Sequence, residues 1–138
     1  MLLNFKTISI WILKLLAAYI MLQTLFFKFS SAPESVYIFS TIGIEPWGRI
    51  GTGILELIAS ILILYPKTTG IGAVLGAGLM SGALFFHFTK LGFEIQGDGG
   101  LLFIYALLVF ISCTILAVIY RSHIFQLLKP VSKKVVCL

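Results

Sequence analysis

The chain has 138 residues, of which 59% are hydrophobic and 11% are charged, and its mean hydropathy is +1.10. Soluble domains carry roughly 25% charged residues, so this composition excludes an ordinary soluble domain and indicates one membrane domain spanning residues 1–138. The net charge of +5 is spread over loops and tails, not clustered on one soluble face, so we expect no nucleic-acid partner.

Four apolar runs are each about long enough to cross a ~30 Å hydrocarbon core. They predict transmembrane helices at residues 7–29, 47–65, 69–90 and 99–120, the second being the shortest and the one that carries a glutamate. No cleavage site for a signal peptidase follows the first run, so we expect that run to be retained. The predicted fold is an all-α integral membrane bundle of four helices.

Positive charge is concentrated on the parts of the chain that four spans place on one side. These are the N-terminal tail, the second loop and the C-terminal tail, with Lys6, Lys67, Arg121, Lys129, Lys133 and Lys134. The positive-inside rule therefore predicts that both termini are cytoplasmic. We expect residues 121–138 to form a mobile basic tail that is attracted to anionic lipid.

The first outer loop carries signals for a short amphipathic helix at residues 32–41. Ser31 and Glu34 have the spacing of a capping box, and Pro33 suits a first helical turn. Gly43 is predicted to end this helix. This helix is expected to lie on the outer surface of the bundle.

The third predicted span is rich in glycine, with Gly70, Gly72, Gly76, Gly78 and Gly82. In lipid such residues let helices approach closely. Packing within the bundle and packing across a homodimer both stay open.

A cluster of polar residues is predicted in the outer half of the bundle, as candidates for binding a ligand: Gln23, Lys28, Arg49, Glu56, His87 and Tyr105. From the helical rise, Glu56 and Tyr105 lie roughly 10 Å inside the membrane edge, Gln23 about 8 Å and His87 about 5 Å. Lys28 points away from Gln23 on its helix and must bend in from the rim to take part.

Glu56 and His87 are the candidates for any catalytic role, because intramembrane ionisable residues are often functional. A lone charged Glu56 would cost ~3 kcal/mol or more in hydrocarbon, so we expect it to be protonated or paired. Arg49, two turns above it, is a candidate partner. A purely structural network that fixes packing is the other interpretation.

Several cofactor signatures are missing from the sequence. Haem held between helices needs paired histidines at one depth, but His87 is near the outer side and His123 near the inner side. There is no cluster at zinc spacing and no CxxC motif, and we expect Cys113 and Cys137 to be unpaired. We therefore expect no metal and no covalent cofactor, so that any bound cofactor is noncovalent and lipophilic.

Four segments carry a resemblance to a known family: FFKFS, IGIEPWGRIGTGILELIASILILYP, GAVLGAGLMSGALFFH and GDGGLLFIYALLVF. Together they resemble the DoxX family of small bacterial four-helix membrane proteins, and the second segment is the most specific. The family is named for a membrane subunit of a terminal quinol oxidase and includes subunits of thiosulfate:quinone oxidoreductase. The resemblance implies the bacterial inner membrane, oxidoreductase subunits as partners and a quinone as candidate cofactor. The family's polar positions match Lys28, Arg49, Glu56 and His87.

Two functions are therefore expected from the sequence, and both stay open. In the first, the chain is an accessory membrane subunit of a quinone-linked oxidoreductase or redox-stress complex, and Glu56 and His87 exchange protons with a quinone or hydrogen-bond it while Arg49 tunes Glu56. In the second, it is a noncatalytic lipid-binding or small-molecule-binding protein, a carrier or a scaffold. A small transporter is the weaker third option, because no inverted repeat or proline-broken helix is visible.

Overall fold

The computed structural model describes residues 4–128, and every regular element in that part of the chain is helical. The elements are α1 (Phe5–Phe29), α2 (Pro33–Ile42), α3 (Trp47–Leu64), α4 (Thr69–Phe86), a π turn (His87–Leu91), α5 (Leu101–Ile119) and α6 (Arg121–Leu128). The helices α1, α3 and α5, and α4 with its π turn, are long and apolar enough to cross a membrane. The prediction of an all-α four-helix membrane bundle is confirmed.

The four spans form a ring in which α1 packs against α3 and α5, and α4 packs against the same two helices on the opposite side. Small and apolar side chains fill the centre of the ring, among them Ala17, Met21, Ala59, Ile63, Ala73, Val109 and Leu116. Large apolar side chains cover its outside, so the bundle presents a lipid-compatible surface. We call the end that carries α2 and the π turn the outer end, in accordance with the charge pattern of the sequence.

Glycines bring α4 close to its neighbours at its inner half only. A Cβ atom on Gly72 would lie 2.6 Å from the backbone nitrogen of Ile63, and one on Gly76 would lie 2.7 Å from the Cys113 sulfur. A Cβ atom on Gly78 or Gly82 would meet nothing within 4 Å. The helix is therefore tightly packed at its inner half and has open space beside its outer half.

The structure moves several predicted boundaries. Helix α1 begins at Phe5, two residues before the predicted start, and α5 spans Leu101–Ile119 where residues 99–120 were expected. The π turn takes the place of the last α-helical turn predicted at residues 87–90.

The basic tail predicted from residue 121 begins with a helix, α6, that the sequence did not indicate, and its mobility stays a prediction. The physical reason is visible at Gly70, because a Cβ atom added there would lie 2.6 Å from the Ile124 side chain. Ile124 of α6 thus packs against the inner end of α4, while Phe125, Leu127 and Leu128 are exposed. Residues 129–138, with Lys129, Lys133 and Lys134, lie outside the described residues, and so does Cys137.

The predicted surface helix is present as α2, but its start differs from the prediction. Ala32 is the N-cap and makes no side-chain hydrogen bond, so the capping box of Ser31 and Glu34 does not form. Ser31 instead adopts a left-handed backbone with φ 56°, which turns the chain into Pro33. Gly43 ends the helix at φ 92°, as predicted. Helix α2 contacts α1, α3 and the π turn, so it covers the outer end of the bundle.

One buried cation lies away from the outer end. The side chain of Lys14 is 2% exposed, and its ammonium group lies 4.4 Å from the centre of the Trp11 ring and 5.4 Å from that of Tyr120. Aromatic faces attract cations at such distances. The two rings therefore take the place of water around this charge at the inner end of α1.

Candidate functional site

Glu56 forms an ion pair with Lys28 across the interface of α3 and α1. The Lys28 Nζ atom donates to Glu56 Oε2 at 2.9 Å, and the Thr24 hydroxyl lies 3.2 Å from the same oxygen. Thr24 and Lys28 are four residues apart, so they share one face of α1. Glu56 is 4% exposed, and the expectation of a paired carboxylate agrees with this geometry, with Lys28 as the partner.

Arg49 pairs with a different carboxylate. Its Nε atom donates to Glu45 Oε1 at 2.7 Å, and its Nη1 atom donates to the backbone carbonyl of Lys28. The last carbonyls of a helix lack partners within the helix, so the guanidinium satisfies one of them at the end of α1. Arg49 therefore holds the backbone of Lys28 in place. Arg49 does not pair with Glu56 directly, and Lys28 lies between them as the partner of Glu56.

Glu45, Arg49, Lys28 and Glu56 together form a network with two positive and two negative charges. Buried ions are costly unless opposite charges and hydrogen bonds compensate them. Here each cation faces a carboxylate, and the backbone bond from Arg49 to Lys28 links the two pairs. This network thereby holds four charges with no net charge.

The π turn fixes the orientation of His87. Its Nδ1 atom lies 2.8 Å from the carbonyl oxygen of Gly92, just beyond the turn, and its ring meets that of Phe103 edge to face with centroids 5.5 Å apart. His87 is 5% exposed. Single π turns within helices are frequent at functional sites.

Asp98 organises the loop that follows the π turn. Its Oδ1 atom accepts from the backbone nitrogens of Ile95 and Gly100 at 2.9 and 2.8 Å, and its Oδ2 atom accepts from Leu102 at 3.1 Å. Burial alone would raise the pKa of Asp98, but these three backbone donors and the nearby His87 outweigh it, so the pKa lies below its usual range. The ionised carboxylate thus caps the start of α5.

A cavity of about 300 Å³ lies in the outer half of the bundle, and we call it the outer cavity. All four spans, α2 and the π turn contribute to its walls, which are apolar except for Thr24, Lys28, Thr52, Glu56, His87 and Tyr105. Gly78 lines the cavity and is also exposed on the surface of the bundle. Ile44, in the loop before α3, is the other exposed lining residue, and we infer an opening toward lipid beside Gly78 and Gly82 because these residues lie at membrane depth.

The structure brings four of the six predicted ligand-binding residues to the walls of the outer cavity: Lys28, Glu56, His87 and Tyr105. Gln23 is not among the lining residues, because it lies one position, or about 100°, away from Thr24 on α1. Arg49 is buried behind Lys28 and reaches the cavity only through it. The ligand-binding roles of all six stay predictions.

Sequence reasoning missed Thr24, Thr52 and Glu45. Thr24 carries a recognisable signal, because it lies one helical turn before Lys28 and so faces the same neighbour. Glu45 lies four residues before Arg49, the usual spacing of an ion pair in a helix. Thr52 gives no such signal, since its hydroxyl donates to the carbonyl of Gly48 in its own helix.

No curated protein and no solved structure matches the chain. The DoxX-like family matches residues 12–115, a range that holds all four spans nearly complete, the ion pair of Lys28 and Glu56, and His87. The chain is a multi-pass membrane protein and belongs to the DoxX-like family.

Proposed function

We propose that the chain binds a lipophilic small molecule with a polar head in its outer cavity, taking it up from the surrounding bilayer. The observation that carries this proposal is the wall of the cavity, where buried Glu56 and His87 stand among apolar side chains beside an opening at Gly78. Ligand sites are typically apolar clefts with a few polar groups that fix orientation.

A quinone is the candidate ligand that the family resemblance supplies, and the chemistry of the walls supports it. A quinone has an apolar ring and polar oxygens, and the cavity offers Lys28 and Tyr105 as hydrogen-bond donors. Glu56 and His87 line the same space and are able to exchange protons with a bound molecule. We propose on this basis that the chain is an accessory subunit of a quinone-linked oxidoreductase of the bacterial inner membrane, acting with partner subunits.

The structure also supports a scaffold or carrier without redox chemistry. Both ion pairs form without any ligand, and the link from Arg49 to Lys28 ties α3 to α1. Such a network stabilises helix packing by itself. Substitution of Glu56, considered below, separates the two functions.

The proposed binding is tested by filling the cavity. Gly82→Leu places an isobutyl group where a Cβ atom meets nothing within 4 Å, beside the opening of the cavity. We expect the affinity of the purified protein for a benzoquinone with a short alkyl tail to fall about tenfold or more, or about 1.4 kcal/mol. Equilibrium dialysis in detergent measures it.

Gly51→Leu is the matched control. Gly51 lies on α3, a Cβ atom there also meets nothing within 4 Å, and the residue does not line the cavity. This variant should bind the benzoquinone as the native chain does. Equal affinity in the native chain and in Gly82→Leu would contradict binding in the outer cavity.

A further inference from the structure

The two ring nitrogens of His87 have different surroundings, and this difference defines a hydrogen-bonding role. Nδ1 lies 2.8 Å from the carbonyl oxygen of Gly92. A carbonyl oxygen only accepts hydrogen bonds, so Nδ1 carries the hydrogen atom. In the neutral imidazole the lone pair is then on Nε2, which becomes an acceptor.

Nε2 of His87 has no hydrogen-bond partner among the described residues, and it is not one of the polar atoms that are sealed within the packed protein. His87 lines the outer cavity, and its ring also packs edge to face on Phe103. We take Nε2 as the acceptor that His87 offers to the cavity, at the end near the π turn.

Glu56 adds a second acceptor. Both hydrogen bonds to its carboxylate, from Lys28 and Thr24, go to Oε2, while Oε1 accepts none from the described residues. The Tyr105 hydroxyl, which also lines the cavity and has no partner in the described part of the chain, both donates and accepts. Lys28, which donates to Glu56, also lines the cavity and is a further donor. A ligand hydroxyl carries one hydrogen, so it donates to one of the two acceptors and accepts from Lys28 or Tyr105, whereas a ligand carbonyl pairs neither acceptor.

We propose that the outer cavity selects a molecule with a hydroxyl group on an aromatic ring, a phenol or a hydroquinone, and that this hydroxyl donates to His87 Nε2. The inference rests on the proposed function and specifies its ligand. A phenolic hydroxyl is a good donor, and the apolar wall, which includes Phe39 and Phe86, accommodates the ring. An acceptor left unpaired in an apolar site lowers affinity, so the ether and carbonyl analogues bind more weakly.

The test compares a 4-alkylphenol with the 4-alkylanisole of the same chain length, which differ only in the methyl group that replaces the hydroxyl hydrogen. Both are redox-inert, and their binding to the purified full-length protein is measured by equilibrium dialysis in detergent. We expect the phenol to bind about tenfold more tightly, the preference expected from one hydrogen bond. In His87→Phe the phenol should bind only as well as the anisole.

Two further variants keep the test independent of folding. His87→Gln retains an acceptor at the position of Nε2 and should keep part of the preference, whereas Tyr105→Phe should keep most of it. Anisole binding that is unchanged in His87→Phe shows that the cavity is intact in that variant.

Three results would overturn the inference or its basis. If the native chain binds phenol and anisole equally, selection for the hydroxyl is overturned. If Gly82→Leu then loses the binding of both, the cavity is still a binding site. A preference that survives His87→Phe overturns the role of His87. Binding of neither probe, nor of the benzoquinone, overturns the proposed function itself.

Discussion

Lys28 and Glu56 are the residues on which the site depends, and their contacts explain how two charges persist inside a membrane bundle. The pair is joined at 2.9 Å and shielded from water, with side chains 14% and 5% exposed. Removing one partner of such a pair strands the other charge in a low dielectric, which typically costs more than the pair itself contributes. The cost of a single substitution should therefore exceed that of removing both charges.

Glu56→Gln should lower the melting temperature of the purified protein in detergent, with a loss of stability of about 3 kcal/mol, because Lys28 is left without a counter-ion. Lys28→Met should act similarly, and the double variant should recover part of the loss. Gln23→Leu, which removes a polar side chain outside the cavity, serves as the control. Additive losses in the double variant would contradict a direct pair.

The same Glu56→Gln variant separates the two proposed functions. An accessory subunit should lose the quinone-dependent activity of its complex while the protein still accumulates in the membrane. A scaffold should leave the redox activity unchanged. The loss of thermal stability is expected for both functions, so the activity alone separates them. The measurement is quinone reduction by membranes of cells that carry the native or the variant chain.

The sequence identified the charged residues of the site, but it did not predict which of them pair with one another. Arg49 and Glu56 lie seven residues apart on one helix, which favours their pairing in sequence analysis. Lys28 comes from another helix, and its reach depends on how α1 crosses α3, a quantity that no local pattern encodes. The contact of Thr24 with Glu56 also depends on how α1 crosses α3. Gln23, the adjacent and more polar residue, does not line the cavity.

At the scale of the element, the loop between the π turn and α5 shows how one carboxylate orders a segment. Asp98 accepts three backbone hydrogen bonds, at 2.8, 2.9 and 3.1 Å, and its pKa is lowered in the folded protein. Because its pKa is lowered on folding, Asp98 stabilises the fold at pH values above its pKa in the unfolded chain, about 3.9. This contribution is lost as the pH falls through the lower pKa of the folded state.

Asp98→Asn should therefore lower the melting temperature at neutral pH. Below about pH 4, the melting temperature of this variant should change less with pH than that of the native chain. The amide keeps one acceptor but carries no charge, so it holds the three backbone donors less strongly. Thermal melting of both proteins across the acid range measures the difference. Parallel curves, with the same dependence on pH, would show that Asp98 does not stabilise the fold through its charge.

Hydropathy predicted the existence and order of the spans well, because lipid requires about 20 apolar residues in every crossing helix. It did not predict the π turn, since an α-helix and a π turn accept the same residues. Helix α6 was also missed, because its basic and polar residues resemble a tail and its packing on Gly70 is a long-range contact.

At the scale of the whole molecule, the outer cavity, α2 and the ion pairs are all toward one end, and α3 and α4 approach closely at the inner half. The cavity extends from the outer end to about the middle of the spans, at Gly78 and Val109. The distribution of positive charge predicts that this end faces outward.

Cysteine labelling tests this orientation. In a background with Cys113 and Cys137 replaced by serine, Glu94→Cys should react with a membrane-impermeant maleimide in intact cells or spheroplasts, and Lys67→Cys should react only after lysis. Both positions are exposed in loops at opposite ends of the bundle. The reverse pattern would place the cavity opening in the inner leaflet.

The π turn has a consequence for how such a chain changes in evolution. A π turn amounts to one additional residue within an α-helix, so deletion of a single residue from His87–Leu91 would restore regular winding. That deletion would rotate Gly92 by about 100° relative to His87 and remove the carbonyl that holds the imidazole. We therefore expect chain length in this segment and the identity of residue 87 to vary together, so that a homologue one residue shorter here lacks the histidine.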